Sequence, residues 1–329
     1  MKLVTYTNGI VSRSGVIVHN TVYDLVTAHQ YAHEAGLCTL PELPPTMIDL
    51  LALEDIGLAD AHAAESWLLS ATAAQRSVCE AGDVQLISPV PRPTSMRDGY
   101  AFRQHVEAAR RNRGLEMIPE FDEIPIFYFT NHQAVYGPGD IPVLPLHRDK
   151  LDFELECAIV IGKKGRNIPA NEADSYVAGY MVMNDWSART LQMQEMKLNL
   201  GPAKGKDFAT SLGPWLVTRD ELATRRIDTP NGETYDLEMR TVINGKSVAR
   251  GNVKDMTWTF AQIIERASYG VTLYPGDVIG SGTCGTGCFL ELNGSKVYDP
   301  AWWLDVGDVV ECEIDLLGKL VNTVVAEDK

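Results

Sequence analysis

From residue 120 to the C-terminus the chain is a succession of short apolar runs with no regular alternation of strand and helix. "IPIFYF", "FELECAIVI", "YVAGYMVMN", "GPWLVT", "YDLEMRTVING", "DVIGSG" and "VVECEIDLLGKLVNTVVA" are punctuated by turns such as Asn244-Gly245 and Pro275-Gly276-Asp277. Runs of this length between such turns read as strands. A doubly wound parallel sheet needs a helix after each strand, so that architecture is excluded and a β-rich fold is expected. Upstream, residues 1–30 read as short strands: "KLVTYT", a turn at Asn8-Gly9, then "VIVHNTVYDL". Residues 45–75 carry apolar groups at helical spacing. In "EAGDVQLISPVPRPTSMRDGYAF", Pro89, Pro91 and Pro93 alternate, which makes an extended crossing unable to join a central strand. The expected division is therefore an N-terminal part, 1–80, and a larger part, 81–329. Residues 98–113 read as a helix, with Asp98 as N-cap and Arg110, Arg111 and Arg113 at the C-terminal end.

Composition removes several classes of function. The 329 residues are 45% hydrophobic and 22% charged, as in an ordinary globular protein. A formal charge of -15 argues against nucleic acid, whose binders present a basic face. No apolar run approaches the roughly 18–20 residues of a membrane span. The opening "MKLVTYTNGIVSRSG" lacks the apolar core of a signal peptide, so a cytoplasmic protein is expected. The six cysteines include no C-x-x-C pair and read as reduced thiols. Cys284 and Cys288 have no second Cys or His pair nearby, which argues against zinc.

The chemistry sits in acids. Glu154 and Glu156 are two apart in a strand-like run and so share a face, while Cys157, Ile159 and Ile161 take the other. Adjacent carboxylates persist if exposed at a sheet edge, if one is protonated, or if a cation lies between them. Asp185 ends the apolar run "GYMVMND", and Arg189 and Gln192 follow at intervals of four and three, the spacing of one helix face. Asp98 is a fourth acid. An all-oxygen set of this kind suits a hard dication, magnesium, manganese or calcium. His105, seven residues after Asp98, reads either as a half-buried helix residue or as a general base. "GSGTCGTG" contains G-x-G-x-x-G at Gly280, Gly282 and Gly285, but "CFLELNG" after it reads as strand, so no helix N-terminus awaits a pyrophosphate. The glycines instead allow backbone to approach a small ligand closely, with Thr283 as donor.

Taken in order, "RDGYAFRQH", "DFELECAIVIG", "GYMVMNDWSAR", "LGPAKGKDFATSLGPWLVT" and "GSGTCGTGCFLEL" resemble the fumarylacetoacetate hydrolase family from about residue 85 to the C-terminus. The resemblance implies an α+β, β-rich fold: a mixed β-roll with a smaller N-terminal β/α domain, usually a homodimer. It carries a divalent metal site to Asp98, Glu154, Glu156 and Asp185. It makes His105 the catalytic base, Glu291 its orienting acid, and Lys206, Arg189 and Gln192 donors to a developing oxyanion. It makes Tyr100, Tyr128, Gly282 and Thr283 substrate contacts. The implied reaction is metal-dependent hydrolysis of a carbon–carbon bond in a 1,3-diketone acid of the fumarylacetoacetate or acylpyruvate kind. The alternative is a decarboxylase or isomerase of β-keto acids such as oxaloacetate, and the presence of both His105 and Glu291 favours the hydrolase. Retention of the polar positions beyond the four acids argues against a non-enzymatic binding protein. The family's larger members have a tyrosine shortly after the Gln192 position, where this chain has Met193 and Met196, and the substrate-binding arginine is not uniquely matched among Arg110, Arg111 and Arg113.

Overall fold

The computed structural model describes residues 1–327. Its main sheet orders the strands Thr21–Asp24, Ser12–Val18, Lys2–Thr7, Thr210–Thr218, Val177–Asp185, Leu155–Ile161, Val278–Gly280, Met96–Gly99 and Phe127–Phe129. A five-stranded sheet orders Lys246–Asn252, Glu238–Ile243, Val309–Ile314, Gly318–Ala326 and Gly139–Val143. The mixed, β-rich α+β architecture expected from the sequence is present.

Strand periodicity divides the core in two. Cys157, Ile159, Ile161, Tyr180 and Val182 point toward the second sheet, where Met239, Ile314 and Val324 meet them. Ala158, Val160, Met181 and Met183 point the other way, toward Leu50, Leu51, Ala61 and Leu68 on the helices Met47–Ala52 and Glu54–Ser70. The Leu155–Ile161 strand is therefore buried on both faces, between Val177–Asp185 and Val278–Gly280. A sheet-edge position for its acids is excluded. The sheet also runs unbroken across residue 80, because Lys2 and Leu3 pair with Val217 and Leu216.

The structure departs from the local sequence pattern in four places. The helix expected from residue 98 starts at Arg103 and ends at Arg111, and Asp98 is not its cap. Asp98 lies in the strand Met96–Gly99, aligned in parallel with Gly280 and antiparallel with Tyr128, so sheet pairing outcompetes capping there. The prolines themselves stay outside strands, but this strand follows directly after them. "FLELNG", expected as strand, is the helix Phe289–Gly294; its alternation misleads because Phe289, Glu291 and Leu292 are all buried. Within the first thirty residues the chain already turns helical, at Leu25–Glu34, with Asp24 accepting the Thr27 N–H as a side-chain cap. The long helix of residues 45–75 is three helices, Met47–Ala52, Glu54–Ser70 and Ala73–Arg76.

Candidate active site

Three strands and the residue preceding one of them deliver four acids to one spot because they share a facing. Asp98, Glu156 and Asp185 have the same parity as Met96, Ala158 and Met183 of the helix-side core, and Glu154 lies two residues before Glu156. Oxygens of Asp98, Glu154, Glu156 and Asp185 lie within 4.8 Å of one another, all buried. Space for them is made by Gly280: a Cβ there would stand 2.7 Å from Asp98 Oδ1, 2.8 Å from Glu156 Oε2 and 2.8 Å from Met183 Sδ. The Gly282 N–H donates to Asp98 Oδ1 and Glu156 Oε2 at 3.1 Å each. Gly282 has φ of +79°, and a side chain there would collide with the Gly99 carbonyl. Thr283 Oγ1 lies 3.5 Å from Glu156 Oε1.

The charge balance of this cluster tests the metal reading. Asp98, Asp152, Glu154, Glu156 and Asp185 are buried acids, and Arg189 and Lys206 are the buried cations that touch them. Burial and the neighbouring Asp185 push Asp98 up to about 8. Burial and Asp98 push Glu156 well above the carboxylate range. Asp185 is raised by burial, and its Oδ1 has no hydrogen-bond partner. Burial would raise Glu154 too, but Lys206 and Arg189 outweigh it and hold that carboxylate low. The cluster therefore needs protons or a cation to exist, and its donors are all carboxylate oxygens. These residues fit a hard dication.

The remaining predicted residues gather around this cage. Lys206 Nζ contacts Glu154 Oε2 and lies 2.7 Å from Asp185 Oδ2. Burial opposes its charge, and Asp185 and Glu154 more than restore it, so its pKa is raised. Tyr128 donates to Asp185 Oδ2 at 2.7 Å. His105 Nδ1 is 2.7 Å from Glu291 Oε2, and Glu291 Oε1 accepts the Thr286 N–H at 3.0 Å. His105 also lies against Glu154 and Cys288, with ligand-type atoms of the three within 4.8 Å. The Tyr100 ring packs edge-on to His105, with centroids 5.9 Å apart. Arg189 and Gln192 lie on the helix Arg189–Met196, whereas Asp185 ends the preceding strand, so the three do not share a helix. The Arg189 guanidinium is turned inward: Nε donates to Asp152, Nη2 to Glu154 and Nη1 to Gln192 Oε1.

The family model for the fumarylacetoacetate (FAA) hydrolase C-terminal region matches residues 94–325. The chain belongs to the fumarylacetoacetate hydrolase family. It is similar to the mitochondrial oxaloacetate tautomerase of Rattus norvegicus, at 34% identity over 289 residues, 87% of this chain and 81% of the relative. The fold is shared with the fumarylacetoacetate hydrolase of psychrophilic Exiguobacterium antarcticum, at TM-score 0.69 and 23% identity, covering 99% of this chain and 100% of that one. It is shared also with the Pseudomonas aeruginosa fumarylpyruvate hydrolase solved with Mn2+ and pyruvate, at TM-score 0.57 and 22% identity, covering 75% and 94%. The rat relative is mitochondrial by name, which does not fit the cytoplasmic location expected from the sequence. Among the described residues no helix is long and apolar enough to cross a membrane.

Two site residues of this family member escaped the sequence reading. Asp152 is fully buried and holds Arg189; it stands two residues before Glu154, so "DFELE" carried a third acid at the same spacing. Gly280 is the gap between two acids, a role that its place in a glycine-rich loop does not reveal. The helix Phe289–Gly294 does follow the glycine loop, but its first N–H groups are taken by Asp152, so a dinucleotide site is still excluded. A separate group, His29, Cys38 and Asp60, is accounted for structurally: Asp60 accepts the Thr39 and Leu40 N–H groups and His29 Nε2.

Proposed function

We propose that this chain is a metal-dependent enzyme of β-keto and enol acids, and that its reaction is keto–enol tautomerisation of an oxaloacetate-type substrate. A carboxylate-backed histidine, His105, beside the Glu154 corner of a four-carboxylate cage supplies the base that such a proton shift needs. The observation that carries this reading ahead of hydrolysis is the 34% identity to an oxaloacetate tautomerase. Asp98, Glu154, Glu156 and Asp185 are the residues that would hold the dication, magnesium, manganese or calcium, whose chemistry there is Lewis-acid polarisation of the 2-oxo group. Glu291 accepts the His105 Nδ1 proton, which leaves Nε2 free to take one from substrate. Nε2 removes a proton from C3; the C–H electron pair becomes the C2–C3 double bond, and the carbonyl π pair moves to O2. The same proton is returned to O2, so the net reaction is a proton shift. Lys206 supplies positive charge beside the cage as O2 becomes anionic. Tyr100, Tyr128, Gln192, Gly282 and Thr283 form the surrounding wall. Arg189 acts by positioning Glu154, since its donors are already engaged.

A second reading, hydrolysis of an acylpyruvate-like diketone, is favoured by the His105–Glu291 pair, the arrangement of a base that draws a proton from water. The residues are the same, and the proton acceptor then serves water rather than C3. The deciding assay compares EDTA-stripped and Mg2+- or Mn2+-restored protein on enol oxaloacetate, acetylpyruvate and a longer acylpyruvate. Metal-dependent acceleration of enol decay without release of two acids is expected. Release of two acids from a diketone establishes the hydrolase instead, and carbon dioxide from oxaloacetate the decarboxylase. The homodimer usual in the family belongs to the same proposal.

A further inference from the structure

The Glu154 corner of the cage and Glu291, the partner of the base, come from separate parts of the chain, and one buried carboxylate supports both. Asp152 is 0% exposed and belongs to the short strand Leu151–Asp152. Its Oδ1 accepts the Phe289 N–H at 2.7 Å and the Phe153 N–H at 2.9 Å. Its Oδ2 accepts the Leu290 N–H at 2.9 Å and the Arg189 Nε–H at 2.8 Å. One arm of contacts then runs through Arg189 Nη2 to Glu154 Oε1 at 2.7 Å, and so to the cage. The other runs through the first turn of Phe289–Gly294 to Glu291, the third residue of that helix, and from Glu291 to His105. A carboxylate that served only to neutralise Arg189 would turn both oxygens to the guanidinium. Here Oδ1 is given wholly to backbone N–H groups.

We infer that Asp152 is a positioning residue that fixes the carboxylate cage and the His105–Glu291 pair relative to each other. This rests on the proposed function insofar as His105 is the base. Both oxygens receive only donors, so an amide of the same shape must set an NH2 against an N–H or against Arg189. Asp152→Asn thus disturbs both arms with little change in volume. Outer partners of metal ligands typically carry about 10–100-fold in affinity or activity.

The test uses full-length Asp152→Asn, Glu291→Gln, the double variant and Arg189→Lys. It reads Mn2+ affinity by calorimetry, and kcat and KM on whichever keto acid the wild type turns over. For Asp152→Asn a loss of roughly 10–100-fold in kcat and of about tenfold in Mn2+ affinity is expected, with KM within about threefold. Added to Glu291→Gln, it should cost clearly less in kcat than it does alone, because the base arm is already cut and only the cage arm is left to lose. Arg189→Lys cuts only the cage arm. It should weaken Mn2+ binding while its kcat loss multiplies in full with that of Glu291→Gln. If Asp152→Asn does not fold, the Arg189→Lys pattern carries the test. Unchanged Mn2+ affinity in either variant, or full multiplication of the Asp152→Asn and Glu291→Gln losses, overturns the inference. The Mn2+ titrations need no substrate, so a wild type inactive on oxaloacetate refutes the proposed reaction and leaves the coupling to be judged by metal binding.

Discussion

Replacing Gly280 with alanine separates the cost of a crowded fold from the cost of a deformed cage. The new Cβ would stand 2.7 Å from Asp98 Oδ1, 2.8 Å from Glu156 Oε2 and 2.8 Å from Met183 Sδ. All three belong to side chains, so the protein relaxes by moving them, by roughly half an ångström or more, rather than by moving backbone. Overpacking of this kind costs about 1–3 kcal/mol, and movable side chains set against contacts of 2.7–2.8 Å put Gly280→Ala near the middle of that range. For a dication held by this cage the same shift is the whole problem, because two of the displaced atoms would be its ligand oxygens. If about 2 kcal/mol of strain is relieved only by giving up ligand geometry, affinity falls on the order of 30-fold. Magnesium, which demands near-ideal octahedral geometry, should lose more than calcium, whose coordination is pliable. The assay is calorimetric titration of EDTA-stripped wild type and variant with each ion, alongside thermal unfolding without metal. Adding Met183→Ala should relieve the sulfur contact without restoring affinity. A variant that binds magnesium and calcium within twofold of wild type would refute the argument. So would one whose affinity loss vanishes with Met183→Ala.

Three further outcomes are expected. Glu291→Gln keeps the shape of the His105 partner but removes its charge, and should lower kcat about 100-fold with KM within threefold, read by steady-state kinetics. Burial alone would raise Asp24, but Arg13, Tyr6 and Thr27 outweigh it and hold it at about 2. A depressed carboxyl stabilises above its unfolded value near 4 and loses that contribution as pH falls toward 2, so Asp24→Asn should cost on the order of 1 kcal/mol at pH 7, allowing for screening at half-exposed Arg13, and progressively less below pH 4, measured by urea unfolding. Light scattering should give twice the chain mass, and a monomer would remove the homodimer from the proposal.

The site was legible where chemistry followed local period. Glu154 and Glu156 beside Cys157, Ile159 and Ile161 give a strand with two different faces, and Asp185 at the end of an apolar run is visible as a strand-tip acid. Asp98 joins the acid set as a conjecture from composition, and only the resemblance ties it to the other three. Its own segment, Met-Arg-Asp-Gly, has no strand signal and is held in the sheet by pairing with Gly280 and Tyr128. The helix at Phe289 was misread for the same reason: its N-terminus is capped by Asp152, 137 residues earlier, and six residues are too few for a helical period to show. Long-range backbone partners of this kind leave no trace in the local sequence.

The pairing of Lys2–Thr7 with Thr210–Thr218 has a consequence for self-association. Without residues 1–80, Thr210–Thr218 would lose that partner, and Leu212 and Leu216 would lose the helices that cover them. A sheet margin with apolar side chains and open N–H and C=O groups is a template for other copies of itself. The N-terminal hairpin thus acts as a guard strand, and residues 81–329 expressed alone should aggregate although they contain every residue of the cage.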